Sequence, residues 1–110
     1  RLHFHDTRNT GLANAFAGTD LRAVLDRSGR KKLIVIGYMT HNCVDSTARE
    51  AFHRGFRVAV VADASATRDL PGPDGAAIPA AVVHAAVLAG LGDRIAEIVD
   101  VAMVTALDAG

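Results

Sequence analysis

The sequence predicts an α/β protein in which a parallel sheet is layered against helices. Two uninterrupted β-branched runs, LIVIG at residues 33–37 and RVAVVAD at residues 57–63, read as strands covered on both faces, the pattern of parallel sheets. An amphipathic helical pattern separates them, and a second helical stretch leads to a third short run, AEIV at residues 96–99. Such alternation implies parallel strands joined by right-handed crossovers.

Taken in order, residues 1–18 are irregular, with Asn9, Gly11, Asn14 and Gly18 favouring turns. Thr19 is a helix N-cap candidate and Asp20 suits the positive end of the helix dipole. Leu21, Val24 and Leu25 then share a face before Gly29 ends the helix. Residues 42–54 predict the next helix, with Val44, Ala48, Ala51 and Phe52 on one face. Asp45 and Arg49, like Glu50 and Arg54, stand four apart and so suit ion pairs along the helix surface. Gly55 followed by Phe56 fits a left-handed stop with an apolar contact behind it. Residues 64–75, which contain Pro71, Gly72, Pro73 and Gly75, predict a loop. A third helix is expected from Pro79 to about Leu91, and its Ala, Val and Leu content on almost every side predicts burial on two flanks. Residues 101–107 predict a terminal helix, and residues 1–110 a single domain.

Strands in chain order leave residues 33–37 at a sheet edge, although their composition is that of a central strand. A flat apolar edge invites pairing. The expectation is that chain upstream of Arg1, or another polypeptide, supplies the covering strands.

The 110 residues are half hydrophobic with zero formal net charge. At this size folding buries roughly 60 to 70% of the unfolded surface, enough for one modest core. No window forms an uncharged apolar span of about 20 residues, which argues against a membrane helix. Acidic and basic residues are intermixed, so no nucleic-acid or membrane partner is expected. A lone cysteine forms no intrachain disulfide, and no basic segment precedes an apolar signal region. The reducing cytoplasm is the expected location.

That cysteine, Cys43, lies in GYMTHNCV at residues 37–44, between the first strand and the helix after it. Ligands of open parallel sheets bind beyond the carboxyl ends of the strands, where Cys43 falls. Free amides and the helix dipole at that end would hold a thiolate or an oxyanion. Free cysteine is also among the most buried residue types and often acts as a small hydrophobe. Position alone leaves both readings open.

GYMTHNCVDSTAREA at residues 37–51, RVAVVADASATRDL at 57–70 and NAFAGTDLRAVL at 14–25 together resemble the isochorismatase-like cysteine hydrolases. That group includes nicotinamidases and N-carbamoylsarcosine amidohydrolase. The resemblance implies a three-layer αβα fold of Rossmann-like topology. It implies that Cys43 attacks a carbonyl or related electrophile of a small amide or similar substrate, giving a covalent intermediate that water resolves. It further implies a cis peptide at Tyr38-Met39, with the backbone amides of Met39 and Cys43 as the oxyanion hole. A homo-oligomer is expected, and no cofactor or metal.

Two departures stand beside these matches. Thr10 aligns where the family carries a lysine, and the family's catalytic aspartate, at the end of its first strand, has no counterpart; Asp6 is the nearby candidate. The chain thus resembles the C-terminal part of such a hydrolase, without its opening strands. The alternative is a non-catalytic relative acting as an oligomerising or structural module.

Other residues carry competing readings. His3, His5 and Asp6 suit a metal ion by chemistry but sit at a terminus, which favours a solvated tail. Phe16 and Tyr38 are candidates for an apolar pocket wall, and His41 for a substrate contact, against core packing for Phe16 and a turn hydrogen bond for His41. His53 and His84 fall within helices and read as structural. Asp63 is expected to cap the following turn through Ser65 or Thr67, and Arg68 and Asp69 to form a solvated loop pair. No glycine-rich phosphate turn follows a strand, which sets a nucleotide binder aside.

Overall fold

The computed structural model describes residue 16, residues 21–29 and residues 31–104. The expected cap Thr19-Asp20 and residues 105–107 of the terminal helix lie outside the described residues.

Helix α1 (Leu21–Ser28) buries Leu21 and Leu25 and ends at Gly29, whose φ of 71° is accessible to glycine at no steric cost. Strand β1 (Lys32–Tyr38) follows. The chain then enters a five-residue π-helical turn, Thr40–Val44, that runs directly into helix α2 (Asp45–His53). The expected helix at residue 42 therefore starts as a wider turn. Both ion pairs read from the spacing form at 3.1 Å, Arg49 with Asp45 and Arg54 with Glu50. Beyond Arg54 the amides of Gly55 and Phe56 bond to the carbonyls of Phe52 and Ala51, the two bonds of a Schellman stop, and Phe56 is buried behind them. Val44, Ala48 and Ala51 face the core as expected, whereas Phe52 at 40% exposure does not. It lies in the last turn of α2, edge-on to the His53 ring.

Strand β2 (Arg57–Ala66) is longer than expected and runs parallel to β1, from Lys32 opposite Arg57 to Tyr38 opposite Ala66, with a register irregularity between Val35 and Gly37. Residues expected to form one loop include a small antiparallel bridge between β3 (Leu70–Pro71) and β4 (Ala77–Ile78). Helix α3 (Ala80–Arg94) begins after Pro79 and lacks a cap from its own N-terminal residue. Its first amide is instead bonded by the Asp69 carboxylate at 2.7 Å, so Asp69 is a helix cap rather than half of a solvated loop pair. Strand β5 (Glu97–Val99) pairs parallel with β2, and a helical turn at residues 101–104 closes the described chain.

The sheet order is β1-β2-β5, with β2 in the middle. Successive β2 side chains point to opposite faces. Val58 and Val60 face a core built with Leu21, Leu25, Val44, Ala48, Ala51, Leu88 and Leu91 from the helices. Ala59 and Val61 face the other way, toward Val99 and Val104. Ala48 and Ala51 are fully buried, and their short side chains let α2 approach the sheet closely.

Two burial expectations are corrected. The β1 run is only half covered, with Ile36 at 53% exposure, because among the described residues β1 pairs on one side alone. Helix α3 buries one stripe, Val83, Leu88 and Leu91, and leaves Val82 54% exposed, so it is not covered on two flanks. A run of apolar residues on every side of a helix carries no information about which side meets the sheet.

Candidate active site

The site grows out of the carboxyl end of β1. Gly37 has φ of 139°, and the peptide bond between Tyr38 and Met39 is cis. Met39 is the hinge of the turn that follows: its carbonyl accepts the amides of Asn42 at 3.0 Å and Val44 at 3.2 Å. No bond runs to that carbonyl from the intervening Cys43 amide. Cys43 is a free thiol, half-buried, one residue before the core side chain Val44 and two before α2. Its sulfur takes no hydrogen bond from a side chain among the described residues.

Two side-chain links fasten this turn to its surroundings. Thr40 is fully buried, and its Oγ1 lies 2.8 Å from His84 Nδ1 on α3. His84 Nε2 lies 3.0 Å from the Ala62 carbonyl oxygen of β2. A carbonyl only accepts, so Nε2 carries the proton; in the neutral imidazole Nδ1 is then an acceptor, and the Thr40 hydroxyl donates to it. The second link joins His41 Nδ1 to Thr67 Oγ1, just past β2. His41 thus bonds a side chain rather than the turn backbone.

Tyr38 is 61% exposed at the strand end, on the rim of the same region. Phe16 is elsewhere: it is buried in the core, with the Arg54 guanidinium 4.8 Å from its ring centroid. That puts its ring beside the carboxyl end of α2, whereas Cys43 precedes the amino end. Asp63 does not cap the turn after it. Its Oδ1 accepts the Val101 amide at 2.9 Å, and Ser65 Oγ donates instead to the Val61 carbonyl. Strand β2 runs on through these residues, so the turn that Asp63 was expected to cap is absent. His3, His5, Asp6 and Thr10 lie outside the described residues. Among the described residues no three His, Cys, Asp or Glu side chains converge as metal ligands.

Thr40 and the bonding role of His84 were not read from the sequence. A signal was present: His84 is the lone imidazole in an apolar helix, AAVVHAAVLAGL, and a polar group packed there needs a hydrogen-bond partner.

Comparison with known proteins bears on this geometry. The sequence model of the isochorismatase domain matches residues 7–102. The chain is 48% identical over 62 residues to a secreted isochorismatase effector of Verticillium dahliae, covering 56% of this chain and 33% of that protein. It is 42% identical over 84 residues to a streptothricin hydrolase of Streptomyces noursei, covering 74% of this chain and 30% of that one. The crystal structure of an isochorismatase from Pseudomonas putida aligns with a TM-score of 0.81 at 42% identity, covering 84% of this chain and 47% of that chain. The chain therefore spans about a third of the length of these curated relatives and about half of the crystallised one.

Proposed function

The chain belongs to the isochorismatase family and has its α/β fold, and from that premise we propose that it carries the nucleophile of a cysteine hydrolase acting on a small amide or related substrate. The observation that carries this reading is the turn itself. Cys43 stands between a strand end and a helix start, and the Met39 carbonyl collects the amides on either side of it while leaving its own aside.

In the proposed reaction the Cys43 thiolate attacks the substrate carbonyl carbon, and the oxygen takes the negative charge beside the amides of Met39 and Cys43. Collapse breaks the carbon–nitrogen bond. The amine leaves with a proton, and an acyl-cysteine thioester remains. Water then adds to the thioester, releasing the carboxylate and restoring the thiol. The resemblance assigns the thiol proton to a carboxylate, for which Asp6 is the candidate in this sequence. Tyr38 and His41 are proposed as pocket residues. Phe16, buried in the core beside Arg54 at the far end of α2, is left to packing.

A second reading is favoured by one observation: Thr10 stands where the resemblance calls for a lysine, and threonine brings no positive charge to a thiolate. Under it the chain is a non-catalytic module. Iodoacetamide separates the two. A competent nucleophile is alkylated at Cys43 quickly near neutral pH and turns over small amides, whereas a reaction that needs denaturant, with no turnover, selects the module.

We also propose that the chain is a single domain, that its thiol is kept reduced in the cytoplasm, and that it forms a homo-oligomer. The exposed Val82, Val101 and Met103 support the last of these. Sedimentation velocity tests it, with a monomer at all concentrations as the contrary result. Among the described residues no helix is long and apolar enough to cross a membrane.

A further inference from the structure

We propose that His84 is a positioning residue for the Cys43 turn, acting through Thr40; the inference rests on the reading of Cys43 as a nucleophile. Thr40 is the first residue of the π-helical turn and follows Met39 directly, so its placement sets the direction in which the Met39 and Cys43 amides point. It is fully buried, which denies its hydroxyl a water partner. The hydroxyl is satisfied from 44 residues away, by an imidazole on the helix packed against the turn.

That imidazole is held in turn. The Ala62 carbonyl fixes the proton on Nε2 and so leaves Nδ1 as an acceptor aimed at Thr40. A strand carbonyl, a helix side chain and the buried hydroxyl form one directional chain: His84 donates to β2 and accepts from the turn. Neither end of the imidazole has a spare bond for substrate, which separates its role from that of a catalytic histidine. A plain packing role for His84 would need no particular nitrogen to carry the proton.

The two ring nitrogens can be tested one at a time. His84→Asn places a carbonyl oxygen near the Nδ1 position and keeps an acceptor for Thr40 while losing the bond to Ala62. His84→Gln reaches Ala62 with its amide and loses the acceptor. The measurements on the full chain are the second-order rate of Cys43 alkylation by iodoacetamide, the thermal midpoint, and the backbone amide NMR signals of Met39 and Cys43.

The proposal expects His84→Gln and Thr40→Val to slow alkylation about tenfold, the fold-change of one lost buried hydrogen bond. It expects both to move the two amide signals. His84→Asn and Thr40→Ser should stay near the parent rate even where they lower the thermal midpoint. Rates that follow the midpoint, with Asn and Gln alike, would overturn it. So would a long-range nitrogen spectrum placing the His84 proton on Nδ1. If the parent Cys43 reacts no faster than in the unfolded chain, the nucleophile reading fails by itself. The amide signals then still decide His84: movement with Gln but not Asn upholds positioning, and no movement refutes it.

Discussion

The Asp63 carboxylate near the carboxyl end of β2 accepts the Val101 amide at 2.9 Å, and so ties the middle strand to the helical turn that closes the described chain. Asp100 adds a second cap by accepting the Met103 amide at 2.8 Å. Orphan amides at a helix start are worth satisfying even in four residues. Replacing Asp63 by Ala should cost about 0.5–2 kcal/mol, as loss of a cap does, and Asp63→Asn should keep most of it. Urea unfolding reads the difference, and an unchanged midpoint for Asp63→Ala would show that the bond contributes nothing.

Leu91 is fully buried between α3 and the Val58–Val60 face of β2. Leu91→Ala removes three carbons from a packed site and should cost about 2–5 kcal/mol, the range for such core truncations. The expected signature is a lower urea midpoint with the slope preserved.

Gly37 is required for its backbone and not for space. A Cβ there would meet Val44 Cγ2 at 3.9 Å, an ordinary contact, but φ of 139° is closed to other L residues. Gly37→Ala should therefore cost about 1–3 kcal/mol and also slow Cys43 alkylation, because the same residue aims the turn. A variant with lowered stability and an unaltered alkylation rate would separate the bend from the thiol.

Cys43→Ser should abolish turnover and alkylation while leaving stability within about 1 kcal/mol, since the side chain is half-buried and bonds no described partner. Residual hydrolysis at the parental rate would remove Cys43 from the mechanism.

The strands were legible because β-branched runs have few alternatives to a covered sheet, and residues 33–37, 57–63 and 96–99 all fall within observed strands or at their ends. The α2 stop was legible because Gly55-Phe56 is a local signal. The π-helical turn was not: it arises where an irregular β1 meets α2, and no residue in THNCV distinguishes it from the first turn of an ordinary helix. Likewise Asp63 and Asp69 were read against near neighbours and His84 as structural with no partner named, whereas their partners lie 38, 11 and 22 or 44 residues away. Such pairings exist only once the helices have docked. Cys43 was placed by strand and helix boundaries, and its surroundings by tertiary packing.

The acceptor at residue 62 belongs to the path of the peptide chain, not to the identity of an alanine. Randomising that codon would leave the oxygen where it is for as long as the strand holds its register. The same freedom is denied at 84, where the side chain itself must present an acceptor to Thr40. Libraries built on this fold could therefore vary 62 for shape while holding an acceptor at 84.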